Sequence, residues 1–190
     1  MKIGAVILAA GESHRFGSPK QLVDVKGKPM LQWVIDLVQS IDFARIVLVL
    51  GAKKTEIEAK LQVSECIDIV DNPDWRLGQS SSVRKGVELL EKDCDAIMFF
   101  LGDQPFITKA LVEREIEVYT ESKPEILVPV FDGTRGNPVI FSKNCFSELR
   151  KIHGDQGGRA IFRNHPIYEL SWSNVGENRD IDNSGDLGGQ

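Results

Sequence analysis

The chain has 190 residues, 42% of them apolar and 27% charged, the size and composition of one folded unit with a sizeable core. Its 23 basic and 28 acidic residues leave a net charge of −5, which argues against a nucleic-acid partner, because such binders are basic overall or carry a dense basic stripe. No run approaches the roughly 20 apolar residues of a membrane span, and the apolar stretch in MKIGAVILAAGES is too short and too closely followed by Arg15 and Lys20 for a signal peptide, so a cytoplasmic protein with no membrane contact is expected.

The continuous apolar run at residues 3–10 (IGAVILAA) reads as a strand buried on both faces, as in a parallel sheet. Residues 29–41 place apolar side chains at helical spacing behind Pro29. Residues 45–50 (RIVLVL) form a second buried strand, 53–63 a helix and 66–70 a third strand. A loop over 71–79 leads to a helix at 80–92, a fourth strand at 95–101, a helix at 108–122 and a strand at 126–131. Strands alternating with helices predict βαβ units, hence an α/β fold with a mostly parallel sheet. Beyond residue 131 the pattern changes: a turn-rich segment at 133–138, a short strand at VIF, a helix at 143–150, a glycine-rich turn at 154–158 and a short helix at 158–163. This part is expected to add an edge to the same sheet and cover its mouth. No linker divides the chain, so residues 1–190 read as a single domain.

Cys66, Cys94 and Cys145 are odd in number and far apart, with no CxxC pair. They read as buried free thiols in a reducing compartment rather than a zinc site or disulfide framework. His14, His153 and His165 show no metal-ligand spacing, and are taken as solvated or locally hydrogen-bonded.

In an open α/β sheet ligands bind beyond the carboxyl ends of the strands. Two polar motifs fall there: LAAGESHRFGSPK at 8–20, and Gly102-Asp103-Gln104-Pro105. The first loop fails the P-loop spacing, since Ser18-Pro19 separate Gly17 from Lys20, and it contains no GxG for a dinucleotide fingerprint. Small residues at 9–11 let a backbone approach a ligand closely, and Arg15 and Lys20 supply charge for a polyphosphate. An ordinary βα turn with solvated cations is the plainer reading. Asp103, just past a strand end, is the best ligand for Mg2+, which needs few protein carboxylates; a turn or N-cap aspartate is the alternative.

LAAGESHRFGSPK resembles the LAAGxSxRxGxxK signature of nucleotidyltransferases akin to molybdenum cofactor cytidylyltransferase, the MobA-like NTP transferase superfamily. The resemblance runs along nearly the whole chain. It includes Asn72-Pro73-Asp74-Trp75 leading to Gly78 and SSSVRKG, GDQP at 102–105, RGNPVIF at 135–141, GDQGGR at 154–159 and DIDNSGDL at 180–187. Asn137 stands where histidine is common, and Asn183-Ser184-Gly185 replace the usual TPE. The resemblance implies a Rossmann-like three-layer sandwich of the nucleotide-diphospho-sugar transferase type. Residues 1–131 would carry the nucleotide and metal, and 132–190 the acceptor side.

It further implies transfer of CMP from CTP to a molybdopterin-type molybdenum cofactor, releasing pyrophosphate, with a molybdoenzyme of the xanthine dehydrogenase type as a receiving partner. Ala10 within LAAG, rather than an LAGG form, resembles the CTP-using branch. Lys20, Arg15 and Asp103 would be catalytic, and Leu8, Ala9, Ala10 and Gly11 would meet the nucleoside. Gly78 and Ser82 would hold base and ribose, although Ser80–Ser82 equally suit a capped helix start. Asp182 would join Asp103 on the metal, with Asp180 as competitor. Asn137, Asp155 and Arg159 would face the acceptor, although 154–159 also suits a plain loop-to-helix junction. An acceptor that is already a phosphate monoester needs no strong general base. A sugar or polyol phosphate acceptor, or a non-catalytic cofactor carrier, are the competing functions.

Overall fold

The computed structural model describes residues 1–12, 19–179 and 181. Its strands are β1 (Ile3–Leu8), β2 (Asp24–Val25), β3 (Lys28–Pro29), β4 (Arg45–Leu50), β5 (Ile67–Asp71), β6 (Ala96–Leu101), β7 (Ile126–Phe131), β8 (Thr134–Arg135), β9 (Val139–Ser142) and β10 (Ile167–Trp172). The α-helices are α1 (Met30–Gln39), α2 (Lys54–Glu58), α3 (Gln79–Leu90), α4 (Lys109–Ser122) and α5 (Phe146–Leu149).

The main sheet has the order β10-β7-β9-β6-β1-β4-β5, with β8 paired to β7. β1 is parallel to both β4 and β6, β4 to β5, and β7 to β10. β9 runs antiparallel between β6 and β7. Side chains alternate across β1. Ala5 and Ile7 join a core with Leu31, Val34 and Ile35 of α1 and Leu111 and Val112 of α4. Val6 joins the opposite core with Val83, Val87 and Leu90 of α3 and Phe146 and Leu149 of α5. Two apolar layers on one sheet make the expected three-layer sandwich. They also explain why the strands read as unbroken apolar runs. Truncating a fully buried leucine in such a layer, Leu31 or Leu48, costs about 2–5 kcal/mol.

Several expectations needed correction, beginning with Cys66, which is exposed where a buried thiol was expected, while Cys94 and Cys145 are buried. The helix expected over 53–63 is only Lys54–Glu58, with Ile57 its one buried residue. The Gln32 side chain accepts from Gln62 N–H and donates to Gln62 O, both at 2.8 Å, taking backbone groups that a longer helix would have used. The later part of the chain does more than add an edge: β9 enters the middle of the sheet and β10 forms the edge. β10 is half-exposed, so its pattern is a weak strand signal. The small β2–β3 ribbon, not anticipated, turns through Lys26 (φ 53°) and Gly27 (φ 84°), the paired positive φ of a two-residue hairpin.

Candidate active site

β1 ends at Leu8, and Ala9-Ala10-Gly11 cross the carboxyl edge of the sheet. Neighbouring strand ends clamp this turn. Ala9 N–H donates to Val49 O at 3.0 Å, Ala52 N–H to Ala10 O at 3.1 Å and Gly102 N–H to Leu8 O at 3.0 Å. The clamp is tight enough to require small residues: a Cβ on Gly102 would lie 2.9 Å from the Ala9 Cβ. From below, the buried Gln21 amide donates to Ala9 O at 2.8 Å and Gly11 O at 2.9 Å. The turn is therefore held open by a fixed frame. Gln21 was not singled out in the sequence, yet it bridges two carbonyls of the turn and lines the same cleft.

Lys20 opens a 3-10 turn, Lys20–Leu22, and its Nζ lies 2.8 Å from Asp103 Oδ2. The two side chains are 14% and 32% exposed, so water screens the pair only partly. They border a cleft of about 510 Å³ that also contains Leu8, Ala9, Ala10, Gly11, Gly78, Ser82 and Asp155. Nine sequence-predicted residues thus meet around one cavity. Trp75, inside the segment leading to Gly78 that carries the resemblance, and Arg76 were not singled out as site residues. They line the same cleft, with the Arg76 guanidinium 4.4 Å from the Trp75 ring centroid, within stacking range.

The cleft's far wall begins α3. Gly78 has φ +93°, and a Cβ there would lie 2.5 Å from the Gly154 carbonyl. Ser80 N–H donates to Gly154 O at 3.3 Å, and Gln79 N–H to Asp155 Oδ1 at 3.4 Å. Asp155 therefore sits at the amino end of α3 and on this cleft, not with the other acceptor candidates. The serines do not cap the helix. The buried Asn72 amide donates to Ser81 Oγ at 2.8 Å and Ser82 Oγ at 2.9 Å, binding the 72–78 loop to the first turn of α3.

A second pocket, about 280 Å³, adjoins the first and shares Leu8, Gln79 and Leu101 with it. It contains Asn137 and Arg159, together with Gln104, Arg135 and Asn178. Arg135 makes a two-pronged ion pair with Glu169, at 2.7 and 2.6 Å, and its carbonyl accepts from Arg159 at 3.2 Å. Arg15, Asp180 and Asp182 lie outside the described residues. Ile181, the residue between those two aspartates, is buried with Val25 and Met30, and its N–H donates to the Asp103 carbonyl at 3.3 Å.

A divalent cation suits this donor set. Asp103 presents a hard carboxylate oxygen to a polar cleft, and Mg2+ or Mn2+ binds through one or two such groups, with phosphate oxygens and water completing its shell. Among the described residues no helix is long and apolar enough to cross a membrane.

The MobA-like NTP transferase domain model matches residues 5–169. Over 151 residues the chain is 29% identical to a probable molybdenum cofactor guanylyltransferase of Natranaerobius thermophilus, covering 78% of this chain and 71% of that protein. It is 26% identical over 165 residues to a 2-C-methyl-D-erythritol 4-phosphate cytidylyltransferase of Caldicellulosiruptor bescii, covering 80% and 72%. The crystal structure of Rv0371c from Mycobacterium tuberculosis H37Rv superposes with a TM-score of 0.87 at 29% identity, covering 98% of this chain and 95% of that one. The complex of Rv0371c with manganese superposes at 0.85, covering 98% and 96%. With its glycine turn, its Lys20–Asp103 pair and a family match over most of its length, the chain belongs to the MobA-like NTP transferase family and is a nucleotidyltransferase.

Proposed function

We propose that the chain transfers CMP from CTP to the phosphate of a molybdopterin-type cofactor, with release of pyrophosphate. The observation that carries the reading is the Lys20–Asp103 pair at 2.8 Å, at the border of two adjoining pockets. Asp103 lines the larger and its neighbour Gln104 the smaller. In this reading the triphosphate occupies the larger cleft. Leu8 and the Ala9–Gly11 turn face the nucleoside, with Gly78 and Ser82 at base and ribose. Lys20 and Arg15 take the phosphates, and Asp103 with Asp182 or Asp180 holds Mg2+. The bound cation neutralises phosphate charge and aligns the triphosphate.

The acceptor phosphate lies in the smaller pocket, with Arg159 compensating its charge and Asn137 donating hydrogen bonds. Its oxygen attacks the α-phosphorus, the bond from that phosphorus to the bridging oxygen breaks, and pyrophosphate carries off the electron pair. The acceptor oxygen is already deprotonated at neutral pH, so the site needs no strong base. Catalysis is then positioning and charge compensation. The separation into a nucleotide half (1–131) and an acceptor half (132–190) is crossed in this reading: Asp155 and the second metal carboxylate, Asp182 or Asp180, serve the nucleotide side, and Gln104 lines the acceptor pocket.

The Natranaerobius relative supports the molybdenum cofactor as acceptor, and Ala10 within LAAG supports CTP over GTP. A second reading, transfer of CMP to a polyol phosphate, is favoured by the Caldicellulosiruptor relative. A receiving molybdoenzyme of the xanthine dehydrogenase type and a cytoplasmic location accompany the first. Pyrophosphate release measured with each NTP, alone and with molybdenum cofactor, a sugar phosphate or a polyol phosphate, tests these readings. Release that needs both CTP and the cofactor is expected. Release with GTP and the cofactor overturns the base assignment, and release with a sugar or polyol phosphate overturns the acceptor. Nucleotide binding with no release in any combination leaves a carrier.

A further inference from the structure

At the edge of the sheet opposite the cleft, three segments remote in sequence converge. Glu125 immediately precedes β7, Cys145 closes the 3-10 turn before α5, and His165 lies two residues before β10. A Glu125 carboxylate oxygen, the Cys145 sulfur and a His165 ring nitrogen all lie within 4.8 Å of one another, the one such grouping among the described residues. Cys145 is fully buried, and the His165 side chain is 13% exposed. His165 Nδ1 is 2.6 Å from Glu125 Oε2, and Nε2 is 2.8 Å from Glu148 Oε2. Asn164 in turn holds the Glu148 carboxylate. None of these residues lines either pocket.

An imidazolium clamped between two carboxylates would account for Glu125 and Glu148. It leaves the Cys145 thiol, which packs in the apolar layer and donates to the Glu125 backbone carbonyl at 3.5 Å, beside both of the other donor groups. Sulfur, imidazole nitrogen and a single carboxylate are the mixed donors of zinc-class cations, not of magnesium. The charges also balance, since one thiolate and one carboxylate neutralise a divalent ion. The Glu148 carboxylate occupies the place where metal-bound histidines find the partner that fixes their ring.

We propose that Cys145 Sγ, His165 Nδ1 and a Glu125 carboxylate oxygen bind one divalent cation of the zinc class, with Glu148 orienting the ring through Nε2. Binding releases the Cys145 thiol proton, and any proton on Nδ1, to solvent. Tetrahedral bonds of about 2.0 Å to nitrogen and oxygen set those two atoms about 3.3 Å apart. Glu125 and His165 must then part by about 0.7 Å from their 2.6 Å contact, while water takes the fourth position from the half-exposed Glu125 side. The cation would join the starts of β7 and β10 to the turn before α5. It thereby braces the part of the sheet that carries the smaller pocket, without touching substrate.

The test is a Co2+ titration of full-length protein carrying Cys66→Ala and Asp103→Asn, which removes the exposed thiol and the cleft carboxylate, so the outcome is independent of the transfer reaction. One equivalent should bind, with a thiolate-to-cobalt charge-transfer band and tetrahedral visible bands. Zn2+ should abolish both and raise the thermal midpoint. Adding Cys145→Ser should remove the charge-transfer band, and His165→Gln or Glu125→Gln should weaken Co2+ binding at least about tenfold. Absence of the band in the parent, or its survival in folded Cys145→Ser protein, overturns the proposal. Should Cys145→Ser fail to fold, unchanged Co2+ affinity in His165→Gln overturns it equally.

Discussion

Replacing Lys20 by methionine should move two properties of the cleft in opposite directions. Lys20 Nζ lies 2.8 Å from Asp103 Oδ2, so a cation seeking that carboxylate must displace an ammonium already there. At 2.8 Å the Coulomb energy of a unit pair is about 6 kcal/mol at an effective dielectric of 20, and about 1.5 kcal/mol at that of water. With Asp103 32% exposed, screening and lost side-chain entropy bring the net competition to about 1–2 kcal/mol. Lys20→Met should therefore bind Mn2+ about 5- to 30-fold more tightly than the wild type without nucleotide. The same change removes the ammonium proposed to face the phosphates and should slow pyrophosphate release about 10²- to 10³-fold. Calorimetric titration with Mn2+ measures the first effect and steady-state pyrophosphate release the second. Equal or weaker Mn2+ binding in folded Lys20→Met protein would refute the competition and, with it, Asp103 as the metal's oxygen.

Gly78→Ala should cost about 2–4 kcal/mol in urea denaturation, because φ is +93° and the new Cβ would lie 2.5 Å from the Gly154 carbonyl. Gly11→Ala, whose Cβ meets nothing within 4 Å, should change stability by less than about 0.5 kcal/mol while weakening nucleotide binding. Arg159→Ala should raise the KM for the acceptor about 10- to 100-fold with the KM for CTP unchanged, as expected for loss of a charged hydrogen bond confined to the smaller pocket. Glu115 in α4 is completely buried with neither carboxyl oxygen hydrogen-bonded among the described residues. Burial holds its pKa well above the usual carboxyl value. Above the ordinary carboxyl range the folded protein keeps a proton that the unfolded chain has lost, so stability falls as pH rises toward the folded pKa. Glu115→Gln should abolish that fall and exceed the wild type in urea midpoint at pH 8 but not at pH 4; parallel pH curves would contradict it.

The parts of the fold legible in the sequence are those where local pattern and burial agree. IGAVIL, IVLVL (46–50) and AIMFFL are apolar throughout because each is sandwiched between two helical layers. β10 (IYELSW) hides from the same logic: at the sheet's edge only part of it is buried, and its alternation is incomplete. Beyond α2 the chain is held at Gln62 by Gln32, thirty residues away, and no window of local sequence contains that bond. The site divides the same way. Lys20 and Asp103 are readable because each stands in a short motif just past a strand end. Gln21 and Asn72 act by joining backbone or hydroxyl groups that the fold brings to them. Glu125, Cys145 and His165 are spaced by twenty residues, far outside any ligand-spacing rule, and become neighbours only when β7 and β10 pair.

The antiparallel strand β9 decides where the smaller pocket can be. A parallel strand between β6 and β7 would enter from the amino edge, leaving the chain before it on the side away from Lys20. β9 instead begins at the carboxyl edge, where Val139 pairs with Phe99 near the end of β6. The residues just before it, Arg135 through Pro138, are thereby delivered beside Leu101 and Gln104, next to Asp103. Arg159 then reaches the same place by donating to the Arg135 carbonyl. One reversal of strand direction thus sets a second pocket against the first, on the edge of the sheet that carries Asp103. This also explains why the turn-rich segment after residue 131 breaks the βαβ rhythm: a crossover helix there would have placed the next strand parallel and moved the residues of the smaller pocket to the other edge.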